Sequence, residues 1–148
     1  MYDDILVPTD GSPAADAAVD HAVTLADRFD ATVHALYVVD ATAYSAIEAG
    51  TDIVAEALET EGEDAVSRIA AAADEADISV IESVVSGTAY RSILEYADDH
   101  DIDLIVMGTH GRRGIDRYLL GSVTERVVRS ANQPVLTVRL DEDDADAE

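Results

Sequence analysis

Five short apolar runs rich in β-branched residues punctuate this chain, with segments of helical periodicity between them. Few folds accept that alternation: strands joined by helices run parallel, and the helices cover both faces of one sheet. The runs are 4–9 (DILVPT), 31–39 (ATVHALYVV), 78–85 (ISVIESVV), 103–108 (DLIVMG) and 134–140 (PVLTVRL). The helical segments are 11–30, 51–76, 87–100 and 121–131. In the first, Ser12 is a natural N-cap and Pro13 suits the first helical position. Ala15, Val19, Ala22 and Ala26 recur there at helical spacing. In the second, Leu58, Ala65, Ile69 and Ala73 share a face, and Gly62 marks a point where continuity is expected to weaken. Residues 5–7 and 104–107 are apolar throughout, as central strands are, whereas 78–85 is partly polar, as suits an edge. The pattern predicts an α/β fold, a doubly wound five-stranded parallel sheet of order 3-2-1-4-5. One domain is expected over 1–140, since 148 residues suffice to bury a core. Residues 40–50 form a connection of undefined shape, and 141–148 (DEDDADAE) is expected to be a disordered, solvated tail.

In such sheets ligands bind beyond the carboxyl ends of the strands, where the strand order reverses. Two segments fall at that point: PTDGS (8–12) after the first strand and GTHGRRG (108–114) after the fourth. Gly108 and Gly111 lack Cβ, so backbone N–H groups there can approach a ligand closely. Gly121 and Ser122 begin a helix, whose N-terminus presents free N–H groups and partial positive charge to an anion. His110, Arg112 and Arg113 lie between these anchors, with Arg117 beyond. Each feature alone suits a turn or a cap; their convergence at a switch point suits a polyphosphate. Arg126 and Arg129, further along the helix, are expected to pair with carboxylates.

The charge sharpens that reading. The chain has 32 Asp and Glu against 9 basic residues, a formal charge of −23; every basic residue is Arg. Five of those nine stand in residues 106–129. Excess carboxylate with no Lys fits a protein adapted to molar salt, where the Debye length falls to about 3 Å and self-repulsion is screened. The melting temperature should then rise from dilute buffer to molar KCl; equal melting by circular dichroism in both would sink the halophilic reading. So acidic a surface repels nucleic acid. No apolar run approaches the length of a membrane span, and MYDDILVPTD carries no basic region or apolar leader, so the cytoplasm is the expected location. The lack of cysteine excludes disulfides and thiolate chemistry.

The spacing Gly108-x2-Gly111-x9-Gly121-Ser122 resembles the nucleotide-binding pattern of the universal stress protein family. ILVPTDGS (5–12) and PVLTVR (134–139) are similar to that family's first and last strands, so the resemblance covers residues 2–140. It implies a Rossmann-like fold of the adenine nucleotide alpha hydrolase-like kind, binding ATP or a related adenine nucleotide, with Mg²⁺, usually as a homodimer. By the same resemblance Asp10 lies by the adenosine, with Pro8 and Thr9 before it. Val38 borders the adenine and Met107 flanks the base. Gly108 and Gly111 line the phosphate path, while Gly121, Ser122 and Val123 take the outer phosphates. His110 and Arg112 are candidate phosphate contacts within the loop. One departure stands at GTAYRSIL (87–94): many members carry proline where this chain has Ala89, expected to alter a turn and leave the site intact.

Little points to a dedicated enzyme. No GxxxxGK phosphate loop, GxGxxG fingerprint or SGGxDS loop is present. His21, His34, His100 and His110 show no metal-ligand spacing; His21 and His34 are expected to pack or face solvent. Asp10 could orient a ribose hydroxyl or a hydrated Mg²⁺, but no residue stands out as a general base. The leading reading is a nucleotide-responsive stress factor, with hydrolysis slow if present. The alternatives are a slow Mg-dependent ATPase or nucleotide-dependent transferase, and a chaperone-like or structural dimer that uses no nucleotide. The last strand is apolar on both faces, Val135 on one and Leu136 with Val138 on the other, and it falls at an edge. An uncovered apolar edge invites its own copy, so an antiparallel homodimer is expected there. Protein partners stay open.

Overall fold

The computed structural model describes residues 1–40, 51–109 and 120–139, with the side chains of 51–55 outside that description. The connection over 41–50, the loop residues 110–119 and the acidic tail lie outside the described residues.

The elements are β1 (Asp4–Thr9), α1 (Pro13–Phe29), β2 (Thr32–Val39), α2 (Thr51–Glu75), β3 (Val80–Ser86), α3 (Ala89–Asp99), β4 (Leu104–Gly108), α4 (Ser122–Ser130) and β5 (Val135–Val138). They form one parallel sheet of order β3-β2-β1-β4-β5, as the pattern of runs predicts. The central strands β1 and β4 are buried almost along their whole length, while β3 at the edge is largely half-exposed. This is the distribution that continuous against interrupted apolar runs encodes.

Two cores flank the sheet. On one face α1 and α2 bury Ala18, Ala22, Ala26, Ala65, Ile69 and Ala73 against Ile5, Val7 and Val33. On the other, α3 and α4 bury Ile93, Tyr96, Ala97 and Val127 against Leu6, Leu36, Ile105 and Met107. Ser12 does cap α1: its Oγ accepts the Ala15 N–H at 3.3 Å, and Pro13 follows at the first helical position. Small side chains along α1 bring its backbone close to the sheet.

Gly62 does not interrupt α2, which runs unbroken from Thr51 to Glu75. A Cβ at Gly62 would lie 2.6 Å from the Tyr37 ring, so its glycine admits a buried aromatic from β2. That contact outweighs the roughly 1 kcal/mol helix-propensity cost of glycine. Three aspartates, Asp30, Asp77 and Asp101, take left-handed backbone just beyond helices where glycine is usual. The chain's carboxylate surplus extends even to helix ends whose dipole disfavours it.

Candidate functional site

Pairing between β1 and β4 runs through Ile5–Leu104 and Leu6–Ile105. Both strands continue three residues beyond that ladder, to Thr9 and Gly108. The crevice of a doubly wound sheet opens there, because β1 connects outward to β2 and β4 to β5.

The β1–α1 loop forms one wall. Thr9 Oγ1 accepts the Gly11 N–H at 3.0 Å, and Asp10 Oδ1 accepts the Ser12 N–H at 2.9 Å. The second is an Asx turn that fixes the Asp10 carboxylate at the rim. Gly11 sits at φ 80°, a left-handed backbone that a side chain would strain. Pro8 and Thr9 are buried and Asp10 is half-buried.

The start of α4 forms the opposite wall, stitched to the end of β4. The Gly121 N–H donates to the Thr109 carbonyl at 2.7 Å. Thr124 Oγ1 donates to the Gly108 carbonyl at 2.9 Å in a buried contact. Gly121 is the N-cap of α4 and has no side chain to cap with, and among the described residues no side chain caps the first-turn N–H groups. Ser122 is exposed and Val123 half-buried. The structure thus brings Gly108 beside Gly121, Ser122 and Val123, which the sequence separates by more than a dozen residues. Val38 and Val123 both pack against the core on the α3–α4 face, where Met107 is buried. His110, Gly111 and Arg112, with Arg113 and Arg117, lie outside the described residues.

Gly108 has a second reason to be glycine. A Cβ there would lie 2.8 Å from the Ala14 carbonyl oxygen and 2.9 Å from its carbon. The first turn of α1 therefore crosses β4 in contact with the Gly108 backbone. The reading that this glycine is there for ligand approach misses that packing.

Arg129 pairs with Glu125 at 2.8 Å, as expected. Among the described residues Arg126 does not pair with a carboxylate; its guanidinium lies 4.6 Å from the centroid of the Tyr90 ring on α3. Arg91 Nε donates to the Tyr90 hydroxyl at 3.1 Å. That hydrogen bond from Arg91, then the charges of Arg91 and Arg126, hold the Tyr90 phenol below its usual range, against an opposing contribution from burial. Nothing in the spacing of GTAYRSIL (87–94) signals this cluster, and Thr109 and Thr124 likewise carry no motif. Ala89 also gains a reason: its N–H reaches Asp40 Oδ2 at 3.4 Å, a contact that proline could not make. His21 is exposed and His34 buried; neither approaches the crevice.

Known proteins bear on this geometry. The family model described as Universal stress protein family matches residues 1–139. Universal stress protein MJ0531 of Methanocaldococcus jannaschii is 39% identical over 141 residues, covering 94% of this chain and 83% of its own length. The solved structure of MJ0577 from the same organism superposes with a TM-score of 0.84 at 32% identity, covering 93% of this chain and 96% of that one. A universal stress protein solved in complex with cAMP superposes with a TM-score of 0.74 at 26% identity, covering 95% of this chain and 99% of that one. Among the described residues no helix is long and apolar enough to cross a membrane. A family match over nearly the full length, a close superposition and relatives above 30% identity agree: the chain belongs to the universal stress protein family.

Proposed function

We propose that this chain binds ATP or a related adenine nucleotide at the switch point between β1 and β4, and acts in the cytoplasm as a nucleotide-responsive stress factor. The observation that carries the reading is the uncapped first turn of α4, held against the end of β4 by the Gly121 and Thr124 hydrogen bonds. Free N–H groups and the helix dipole at that turn suit phosphate oxygens. Gly121, Ser122 and Val123 would take the outer phosphates. Pro8, Thr9 and Asp10 would face the adenosine with Val38, and Met107 would stand beneath the base from its core position. The cAMP complex of a relative supports an adenine nucleotide as the ligand class. Among the described residues no three His, Asp or Glu side chains converge on a metal position. Mg²⁺ is therefore proposed to arrive with the phosphates, within reach of Asp10. Asp10 already accepts a backbone N–H and so serves better to orient than to activate water, which fits slow hydrolysis or none.

Calorimetric titration of MgATP in molar KCl tests the reading. Wild type should bind saturably, and Gly121→Val with Ser122→Ala should lose binding, because the valine side chain enters the space over the first-turn N–H groups. A folded wild type that binds no nucleotide would leave a structural or partner-binding role.

We further propose a homodimer through β5, which is an edge strand bonded to β4 alone among the described residues. Leu136 supports it, being 37% exposed on that edge. Val138 is 6% exposed in the α1–α2 core and would fail for reasons of folding. Leu136→Lys should therefore run as monomer by light scattering; an unchanged dimer would put the interface elsewhere.

A further inference from the structure

Among the described residues Arg68 and Arg129 pair with carboxylates, whereas two other arginines converge on one uncharged ring. Among the described residues, Arg91 and Arg126 have no ion-pair partner, and both engage Tyr90 instead. The two guanidinium groups hold the Tyr90 phenol below its usual range, chiefly through the Arg91 hydrogen bond.

That cluster lies beside the proposed phosphate position. Arg126 follows Val123 by three residues and Ser122 by four, so the three share one face of α4. Helical side chains lean toward the helix N-terminus. Four residues of helix rise about 6 Å, close to the length of an arginine side chain. The guanidinium is therefore directed back along the face that begins at Ser122. Tyr90, the second residue of α3, meets it from the neighbouring helix. A guanidinium carries five N–H donors, more than one tyrosine can occupy, so donors remain for a phosphate.

We propose that Arg126, held in place by the Tyr90 ring, lets the site discriminate by phosphate number, favouring a nucleoside triphosphate over a monophosphate. The inference rests on the nucleotide reading above. A triphosphate carries charge out over the first turn of α4 to the guanidinium, whereas a monophosphate ends short of it. Arg126 is a specificity-determining residue in this scheme, and Tyr90 is a positioning residue that acts through it.

The test is calorimetric titration with MgATP, ADP and AMP, at the lowest KCl concentration that keeps the chain folded. Wild type is compared with Arg126→Gln, Tyr90→Leu, Tyr90→Phe and, as a control for net charge, Arg28→Gln on α1. Arg126→Gln should weaken MgATP about tenfold, the scale of one charge-assisted contact, with AMP within about twofold of wild type. Tyr90→Leu should weaken MgATP less and spare AMP, and Tyr90→Phe should restore wild-type binding because it keeps the ring. If ATP and AMP weaken together, or Arg126→Gln behaves like Arg28→Gln, the inference is wrong and the nucleotide site survives. If wild type binds none of the three, the nucleotide reading fails and takes the inference with it. Arg126 is exposed and its variant should melt close to wild type, whereas Tyr90 is half-buried against the α3–α4 core, so each Tyr90 variant is titrated below its own melting temperature.

Discussion

Gly108→Ala is expected to destabilise the fold by about 3 kcal/mol, at the upper end of the range for overpacking a close contact. The added carbon would meet backbone on α1, 2.8 Å from the Ala14 carbonyl oxygen and 2.9 Å from its carbon. Backbone in the first turn of a helix cannot rotate aside as a side chain can. Relief requires lifting α1 from β4, and Ala14 and Ala18 are 1% and 0% exposed in that contact. A loss of that size is a large share of a net stability of about 5–15 kcal/mol. Urea unfolding followed by circular dichroism measures it, with the denaturant slope unchanged. Had the glycine served ligand approach alone, the variant would keep its stability and lose only binding. A loss below about 1 kcal/mol, within the scatter of ordinary surface changes, would show that α1 shifts freely.

Gly108 also shows where the sequence is legible and where it is not. Its position at the end of an apolar run marked a strand terminus and a switch point, and β4 ends there. The strand order was readable for the same reason: runs 5–7 and 104–107 lacked any polar face, and both strands prove central. Ser12 and Pro13 announced α1 because capping chemistry is local. The contacts that decide why particular residues are present are remote in sequence. Gly62 meets Tyr37, Thr124 meets Gly108 and Arg126 meets Tyr90. No periodicity encodes such pairings. Hence Gly62 looked like a weak point in a helix, and Arg126 like one more partner for a carboxylate. The proposed site was legible as a constellation of glycines and a helix start, because anion recognition by backbone needs particular residues. The cluster of Arg91, Arg126 and Tyr90 was not, because side-chain packing between α3 and α4 sets it.

His34→Ala is the second change expected to cost heavily, about 3–4 kcal/mol from two lost hydrogen bonds and a cavity in the core. His34 is 3% exposed, and both ring nitrogens are engaged. Nε2 lies 2.9 Å from Asp4 Oδ1 and Nδ1 lies 2.8 Å from the Tyr96 hydroxyl. A carboxylate accepts, so Nε2 donates to Asp4, and Nδ1 shares a hydrogen bond with the tyrosine hydroxyl. One imidazole thus ties the start of β1, β2 and α3 together. Tyr96 is braced in turn by His100, stacked on its ring at 3.7 Å. Tyr96→Phe keeps that stack and leaves only Nδ1 without a partner, for about 1–2 kcal/mol. The double variant should cost clearly less than the sum of the singles, because the same hydrogen bond is lost in both. Additive costs in urea unfolding would show that the pair does not act as a unit. Asp4 opens β1 and Tyr96 lies near the end of α3, so this network sits at the amino end of the sheet. The proposed nucleotide crevice lies at the carboxyl end. His34→Ala should therefore lower stability while the protein that remains folded binds MgATP with wild-type affinity. A matching loss of affinity would mean that the two ends of the sheet are coupled through β1 and β2, the strands that carry Asp4 and His34 at one end and Asp10 and Val38 at the other.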